Sequence, residues 1–334
     1  MLGGMAGLAA AAALSPALAA KARRLPPRLR VGDTVGLVAP SSAVDPAQVE
    51  AAAFQIAGMG LVPRIGAHVS DVDGYLAGTD ANRAADLDAM FADDEVRAIF
   101  AVRGGWGAAR LLPLLDWKAI ASRPKLVIGS SDITALHLAI AARAGFPTIH
   151  APTASSRWVE ESWQSLWRLA FTGETPVLLG PATEPAGVPG PEGRTITGGT
   201  ARGRLIGGNL TIVSTLMGTG WLPDLKGAVL FLEDIGEEEY RIDRMLQQLA
   251  LGGVLAGAAG IVFGRCSRCA NEDPDYRGFT LDQVIDHHLG PLGIPAFVGG
   301  NIGHVRGQTS LPSGGIVELD AAARTIRLLE PIVG

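Results

Sequence analysis

Short, continuously apolar runs that alternate with stretches of helical apolar spacing limit this chain more than any other feature. Thr34 to Pro40 reads TVGLVAP and is followed by a helical pattern from Gln48. Helical spacing over Arg83 to Phe91 precedes an apolar run from Val96 to Val102, and Ala108 to Leu115 resumes a helix. A strand over Lys125 to Ile128 and a helix over Ile133 to Ala142 follow. Strands without polar alternation are covered on both faces, which points to α/β class and a parallel sheet. Such sheets place their sites at the carboxyl ends of strands, so the loops there carry the search for function.

With 334 residues the chain can bury two moderate cores, and two domains are expected. The segment between Gly173 and Gly203, rich in Pro and Gly, precludes a helix and marks the boundary. Beyond it we expect a turn at Gly207-Gly208-Asn209 and a helical stretch from Leu210. A strand over Ala228 to Leu232, a helix over Tyr240 to Leu251 and a strand over Gly260 to Phe263 come next. Closing strands near Ile316 to Leu319 and Thr325 to Leu329 complete a mixed second domain.

A net charge of -5 with scattered Lys and Arg leaves no footprint for phosphate backbones, so nucleic acid is not an expected partner. The opening residues Met1 to Ala20 form an apolar stretch ending in Ser15-Pro16 and Ala17-Leu18-Ala19, the form of an export signal. An Ala-rich buried helix is the other reading, since the run is too short to span a bilayer. No other stretch looks transmembrane. The only cysteines, Cys266 and Cys269, form one C-x-x-C in a loop setting, without the further ligands a zinc site needs. They read as loop thiols or, in an exported protein, a local disulfide.

Four segments could carry chemistry. In KLVIGSSDITALHLAI a strand ends at Gly129 and a helix begins at Ile133, leaving Ser130, Ser131 and Asp132 on the turn. A serine there has the setting of a nucleophile elbow, with a helix N-terminus and the next N–H ready for an oxyanion. Ile133 stands where G-x-S-x-G has its last glycine, so an ordinary α/β-hydrolase is not supported, and Ser131 or Asp132 could simply cap the helix. In VRGGWGAARLL, Arg103 follows a strand, and Gly104, Gly105 and Gly107 allow close backbone approach. That loop is either an N–H donor or a structural turn; it lacks the Lys-Ser/Thr of a P-loop.

Glu233 continues a buried strand toward the site edge, where a carboxylate can orient an imidazole; the alternative is a solvated acidic face. His304 stands in the Gly-rich loop GGNIGHVRGQTS as a proton shuttle or an ordinary loop histidine. His137, His287 and His288 fit surface or packing roles better.

In order and spacing, GDTVGLVAPSS, AGTDANRAADL, RGGWG, GSSDITALH, GRLIGGNL, FLEDIGEEEYRIDRML and the GH…LPSGG closure resemble the LD-carboxypeptidase family. This family is also called the muramoyltetrapeptide carboxypeptidases and includes relatives that confer resistance to microcin C. The resemblance runs along most of the chain after the opening segment. It implies that Ser131 is the nucleophile, Glu233 the triad acid and His304 the general base. Oxyanion donors would be the N–H groups of Asp132 and of the RGGWG loop at Gly105, and Arg103 is a candidate for the substrate's terminal carboxylate. Ser130 replaces a usual aromatic residue, and Trp106 replaces a common tyrosine.

The implied activity is release of terminal D-alanine from a peptidoglycan tetrapeptide, with no metal or cofactor. The same triad could instead serve another acidic peptide or a peptidyl-nucleotide, and a non-catalytic muropeptide-binding protein is a further alternative. The implied fold is a flavodoxin-like N-terminal domain plus a smaller β-rich C-terminal domain, in a homodimer. Residues 1–20 then form the signal peptide and 27–172 the nucleophile domain. Residues 173–203 form the linker and 204–334 the domain carrying Glu233 and His304. The location expected from the opening segment is periplasmic or otherwise exported, with cytoplasmic residence as the alternative.

Overall fold

The structure, a computed structural model, describes residues 24–180 and 193–334 except 272 and 274. The expected signal segment and the middle of the 173–203 segment therefore lie outside the described residues. The first sheet holds strands β1 (Thr34–Val38), β2 (Val62–Ile65), β3 (Val96–Ala101), β4 (Leu126–Gly129) and β5 (Thr148–His150), all parallel. A sixth strand, β12 (Leu311–Ser313), comes from the far end of the chain and pairs antiparallel with β5. Their order is β12-β5-β4-β3-β1-β2. Every residue of β4 is buried, which is why its sequence shows no alternation.

Around this sheet run helices α1 (Pro46–Gly58), α2 (Asp80–Ala92), α3 (Trp117–Ser122), α4 (Thr134–Arg143) and α5 (Glu160–Ala170). Their starts are written locally. Pro46 opens α1 where a missing N–H costs nothing, and the Gln48 side chain accepts from the Asp45 N–H at 3.0 Å. Thr79 and Asp116 cap α2 and α3. The helix expected over Ala108 to Leu115 is only a 3-10 turn, Ala108–Leu111. Leu112 is still helical (φ -53°), but Pro113 has no N–H to bond the carbonyl four residues back, so a regular helix is not carried through it.

The second sheet has order β6-β14-β13-β8-β9-β10-β11-β7. Strands β8 (Thr200–Asn209), β9 (Val229–Ile235), β10 (Gly260–Ser267) and β11 (Ala296–Val298) run parallel. Strands β13 (Ile316–Asp320), β14 (Thr325–Leu328), β6 (Val177–Leu179) and β7 (Arg194–Thr197) join antiparallel. Helices α6 (Leu210–Thr215), α7 (Glu239–Leu251), α8 (Val254–Gly257) and α9 (Leu281–Leu289) lie in this half. The class is α/β with a parallel first sheet, as expected. The segment read as a linker supplies β6, β7 and the first residues of β8.

The turn expected at Gly207-Gly208-Asn209 is a correction: these residues end β8. A Cβ on Gly207 would stand 1.8 Å from the Phe231 carbonyl oxygen, and one on Gly208 would stand 2.4 Å from Thr134 Oγ1. Both glycines serve close approach, one between strands and one between β8 and α4.

Candidate active site

Strand β4 leads straight into the candidate nucleophile. Ser130 is extended (φ -141°), whereas Ser131 has φ 62°, a left-handed conformation that a residue with a side chain seldom adopts. A 3-10 turn, Ser131–Ile133, then runs into α4. This backbone reversal presents Ser131, which is partly exposed, while Ser130 and Asp132 beside it are buried. The strained elbow is therefore Ser131 rather than Ser130.

Neither Ser131 nor Asp132 caps α4 through its side chain. Asp132 instead ties two loops together, its Oδ2 accepting from Ser41 Oγ at 2.6 Å and from the Ala108 N–H at 2.8 Å. The glycine loop lies directly against the elbow: a Cβ on Gly104 would stand 2.9 Å from Ser131 Cβ and 3.2 Å from its Oγ. Gly105 has φ 115°, and a Cβ there would stand 2.2 Å from Ser42 Oγ. Ser42 Oγ accepts from the Trp106 N–H at 3.1 Å. Gly105 N–H has no partner among the described residues and lies at the surface. Arg103 donates from Nη1 to the Ala43 carbonyl at 3.1 Å, bracing this loop against the one after β1.

Glu233 lies near the end of β9 and is fully enclosed, and Asp234, the last buried residue of the strand, follows it. His304 Nδ1 stands 2.9 Å from Glu233 Oε2. A carboxylate can only accept, so Nδ1 carries the proton and the neutral ring leaves Nε2 as its basic nitrogen. Burial pushes the Glu233 carboxyl up, while the His304 hydrogen bond and charge act the other way. Burial also opposes a charge on His304, yet the hydrogen bond and charge of Glu233, with Asp234 behind it, raise its pKa above that of an ordinary imidazole. Gly303 allows this pairing, since a Cβ there would stand 2.4 Å from Glu233 Oε2.

The two halves of the site meet through α4 and β8. Thr134 Oγ1 accepts from the Asn209 N–H at 3.0 Å, and Asn209 is the register partner of Glu233. On the other side His150, paired with Gly129 at the end of β4, is fully buried, and burial first, then the charges of His137 and His304, hold its pKa well below the ordinary histidine value. The serine turn and the Glu233–His304 pair are thus fixed to a common frame.

A family model described as the LD-carboxypeptidase N-terminal domain matches residues 35–151, and one for the C-terminal domain matches residues 202–319. The chain belongs to the LD-carboxypeptidase family. A member of that family is a peptidase. It is 36% identical over 311 residues to the probable murein peptide carboxypeptidase of Bacillus subtilis (strain 168), covering 90% of this chain and 92% of that one. A muramoyltetrapeptide carboxypeptidase from Oxalobacter formigenes is similar in structure, with TM-score 0.74 and 26% identity over 88% of this chain and 97% of that one. A microcin C7 self-immunity protein solved with adenosine monophosphate shares the fold, with TM-score 0.83 and 23% identity over 93% of this chain and 100% of that one.

Several residues of this LD-carboxypeptidase site carry no local signal. Ser41 and Ser42 act through loops distant in sequence, and Asn209 links Thr134 to Asp234, to which its Nδ2 donates at 2.8 Å. Ser267, inside the C-x-x-C, donates to the His304 carbonyl at 2.8 Å. Only the neighbouring cysteines could have drawn attention to it, and they form the local disulfide that was one of the two readings. His137 is fully buried and bonds the Gly129 carbonyl at 2.9 Å, with its pKa pushed down to about 4 by burial. That is the packing role expected of it. Among the described residues no group of His, Cys, Asp or Glu is arranged to hold a metal ion.

Proposed function

We propose that this peptidase is a serine LD-carboxypeptidase that releases terminal D-alanine from peptidoglycan-derived tetrapeptides, with Ser131, Glu233 and His304 as its catalytic residues. The observation that carries the reading is a buried carboxylate holding a histidine by Nδ1 in the same frame as a left-handed elbow serine. His304 Nε2 takes the Ser131 proton as Oγ attacks the carbonyl of the penultimate residue. The N–H groups of Gly105 and Asp132 receive the oxyanion, which in a fixed site contributes a factor of about 10²–10³ per donor. Collapse expels the D-alanine amine, protonated by His304, and leaves an ester on Ser131. Water, activated by the same imidazole, releases the tripeptide and restores the enzyme.

The substrate class is supported by the relatives named for murein peptides and muramoyltetrapeptides. The self-immunity protein with its nucleotide keeps a peptidyl-nucleotide as the second reading. Export is part of the proposal: the Met1 to Ala20 segment and a disulfide, which persists in oxidising compartments, both favour it. So is the homodimer, for which light scattering on the purified protein is the check.

Mass spectrometry of a muramoyl or free tetrapeptide incubated with the protein tests the reading. D-alanine release by the wild type and not by Ser131→Ala is expected. Equal release by both removes Ser131 from the mechanism, and cleavage of a peptidyl-nucleotide alone moves the substrate to the second reading.

A further inference from the structure

The reaction fixes where a carboxypeptidase must hold its substrate's terminal charge. His304 donates to the departing amine, and that nitrogen and the terminal carboxylate share one α-carbon. With N–Cα near 1.46 Å, Cα–C near 1.52 Å and an angle near 111°, the carboxylate carbon lies only about 2.5 Å from the amine nitrogen. The receiving cation therefore belongs beside the imidazole, on the His304 side of the site. Burying the carboxylate there without a partner would be costly.

Among the arginines around His304, Arg268 stands on a turn that is hydrogen-bonded to the histidine's own backbone. Ser267 donates its hydroxyl to the His304 carbonyl at 2.8 Å, and its own carbonyl accepts from the Gly236 N–H at 2.8 Å. The turn that carries it is thus tied to both the histidine loop and the end of β9. The next residue, Arg268, is exposed and left-handed at φ 58°, and the Cys266–Cys269 disulfide closes the turn on either side of it. Arg268 directly follows Ser267, so the residue bonded to the His304 backbone and the guanidinium belong to the same four-residue turn. No carboxylate pairs with Arg268 among the described residues, whereas Arg103 is engaged with the Ala43 carbonyl on the glycine-loop side.

We infer that Arg268, presented by its disulfide-closed turn, receives the substrate's terminal carboxylate and so restricts the enzyme to chain ends. The assignment rests on the carboxypeptidase reading of the site. A planar guanidinium can bind a carboxylate through two parallel N–H bonds, which suits recognition of a chain end. The disulfide keeps the turn from relaxing, so the cation is placed before substrate arrives.

Titration calorimetry of the Ser131→Ala protein, with a tetrapeptide ending in a free carboxylate and with its terminal amide, tests this without turnover. The free acid is expected to bind about 10- to 100-fold more tightly than the amide, the range of one lost charge-assisted contact. Adding Arg268→Gln erases that preference by weakening the acid alone, and Arg268→Lys restores part of it. Arg306→Gln, at the exposed arginine two residues past His304, leaves the preference in place. A preference that survives Arg268→Gln, or that falls with Arg306→Gln instead, overturns the inference. So does equal binding of acid and amide by the Ser131→Ala protein. D-alanine release by the enzyme with Ser131 intact reports separately whether the carboxypeptidase reading stands.

Discussion

An imidazole held by a buried carboxylate is a stronger base than a free one, and this sets how the enzyme should respond to pH. In the proposed mechanism only neutral His304 can take the Ser131 proton, and the hydrogen bond and charge of Glu233 raise its pKa against the opposing effect of burial. Activity is therefore lost as pH falls through a value above the ordinary 6.5 of histidine, and kcat/KM against pH should show its acid limb there. Glu233→Gln removes the charge that raises it, so the limb should shift downward. The same change should reduce kcat by about 10³–10⁴-fold through loss of the orienting carboxylate. An unmoved limb would mean that the two side chains do not act as a pair. At this scale Ser131, Glu233 and His304 stood out as candidates because each stands in a loop or at a strand end with a chemically apt neighbour. Ser41 and Ser267 did not, because their roles lie in bonds to Asp132 and His304 from 91 and 37 residues away.

Among the elements, glycines do what no propensity reveals. Gly207 reads as a turn residue beside Gly208 and Asn209, yet it sits inside β8 because the Phe231 carbonyl occupies the space of a side chain. Gly207→Ala should therefore destabilise the protein by more than about 4 kcal/mol, which chemical denaturation can measure. Gly303→Ala should act differently. Its Cβ would collide with the Glu233 carboxylate rather than with a neighbouring strand, so activity should fall well over tenfold. An active Gly303→Ala variant would show that the Glu233–His304 contact is not needed. Strands β1, β3 and β4 were legible from their unbroken apolar runs, whereas β2 (VPRI) and the three-residue β5 (TIH) show no such run and were not read, and the helix misread over Ala108 to Leu115 failed at Pro113.

For the whole molecule, the two halves matched by the family models do not keep separate cores. One buried apolar cluster joins Leu87 and Ile99 to Leu230 and Leu246, and the other joins Val35 and Phe100 to Phe231 and Phe297. Strand β12, from beyond His304, also completes the edge of the first sheet at β5. Calorimetry should accordingly show one unfolding transition, and two resolved transitions would contradict this account of the packing. Strand order and the return of β12 to the first sheet were illegible, since pairing between segments some 160 residues apart leaves no periodic mark. What the arrangement provides is an elbow serine on one half and a charge-tied histidine on the other. The most direct test is intact-protein and peptide mass spectrometry of the enzyme quenched during turnover of a D-alanine-terminated tetrapeptide. The account predicts a tripeptidyl ester on the peptide containing Ser131, absent from Ser131→Ala; D-alanine release with no adduct at Ser131, or with the adduct on another residue, would contradict it.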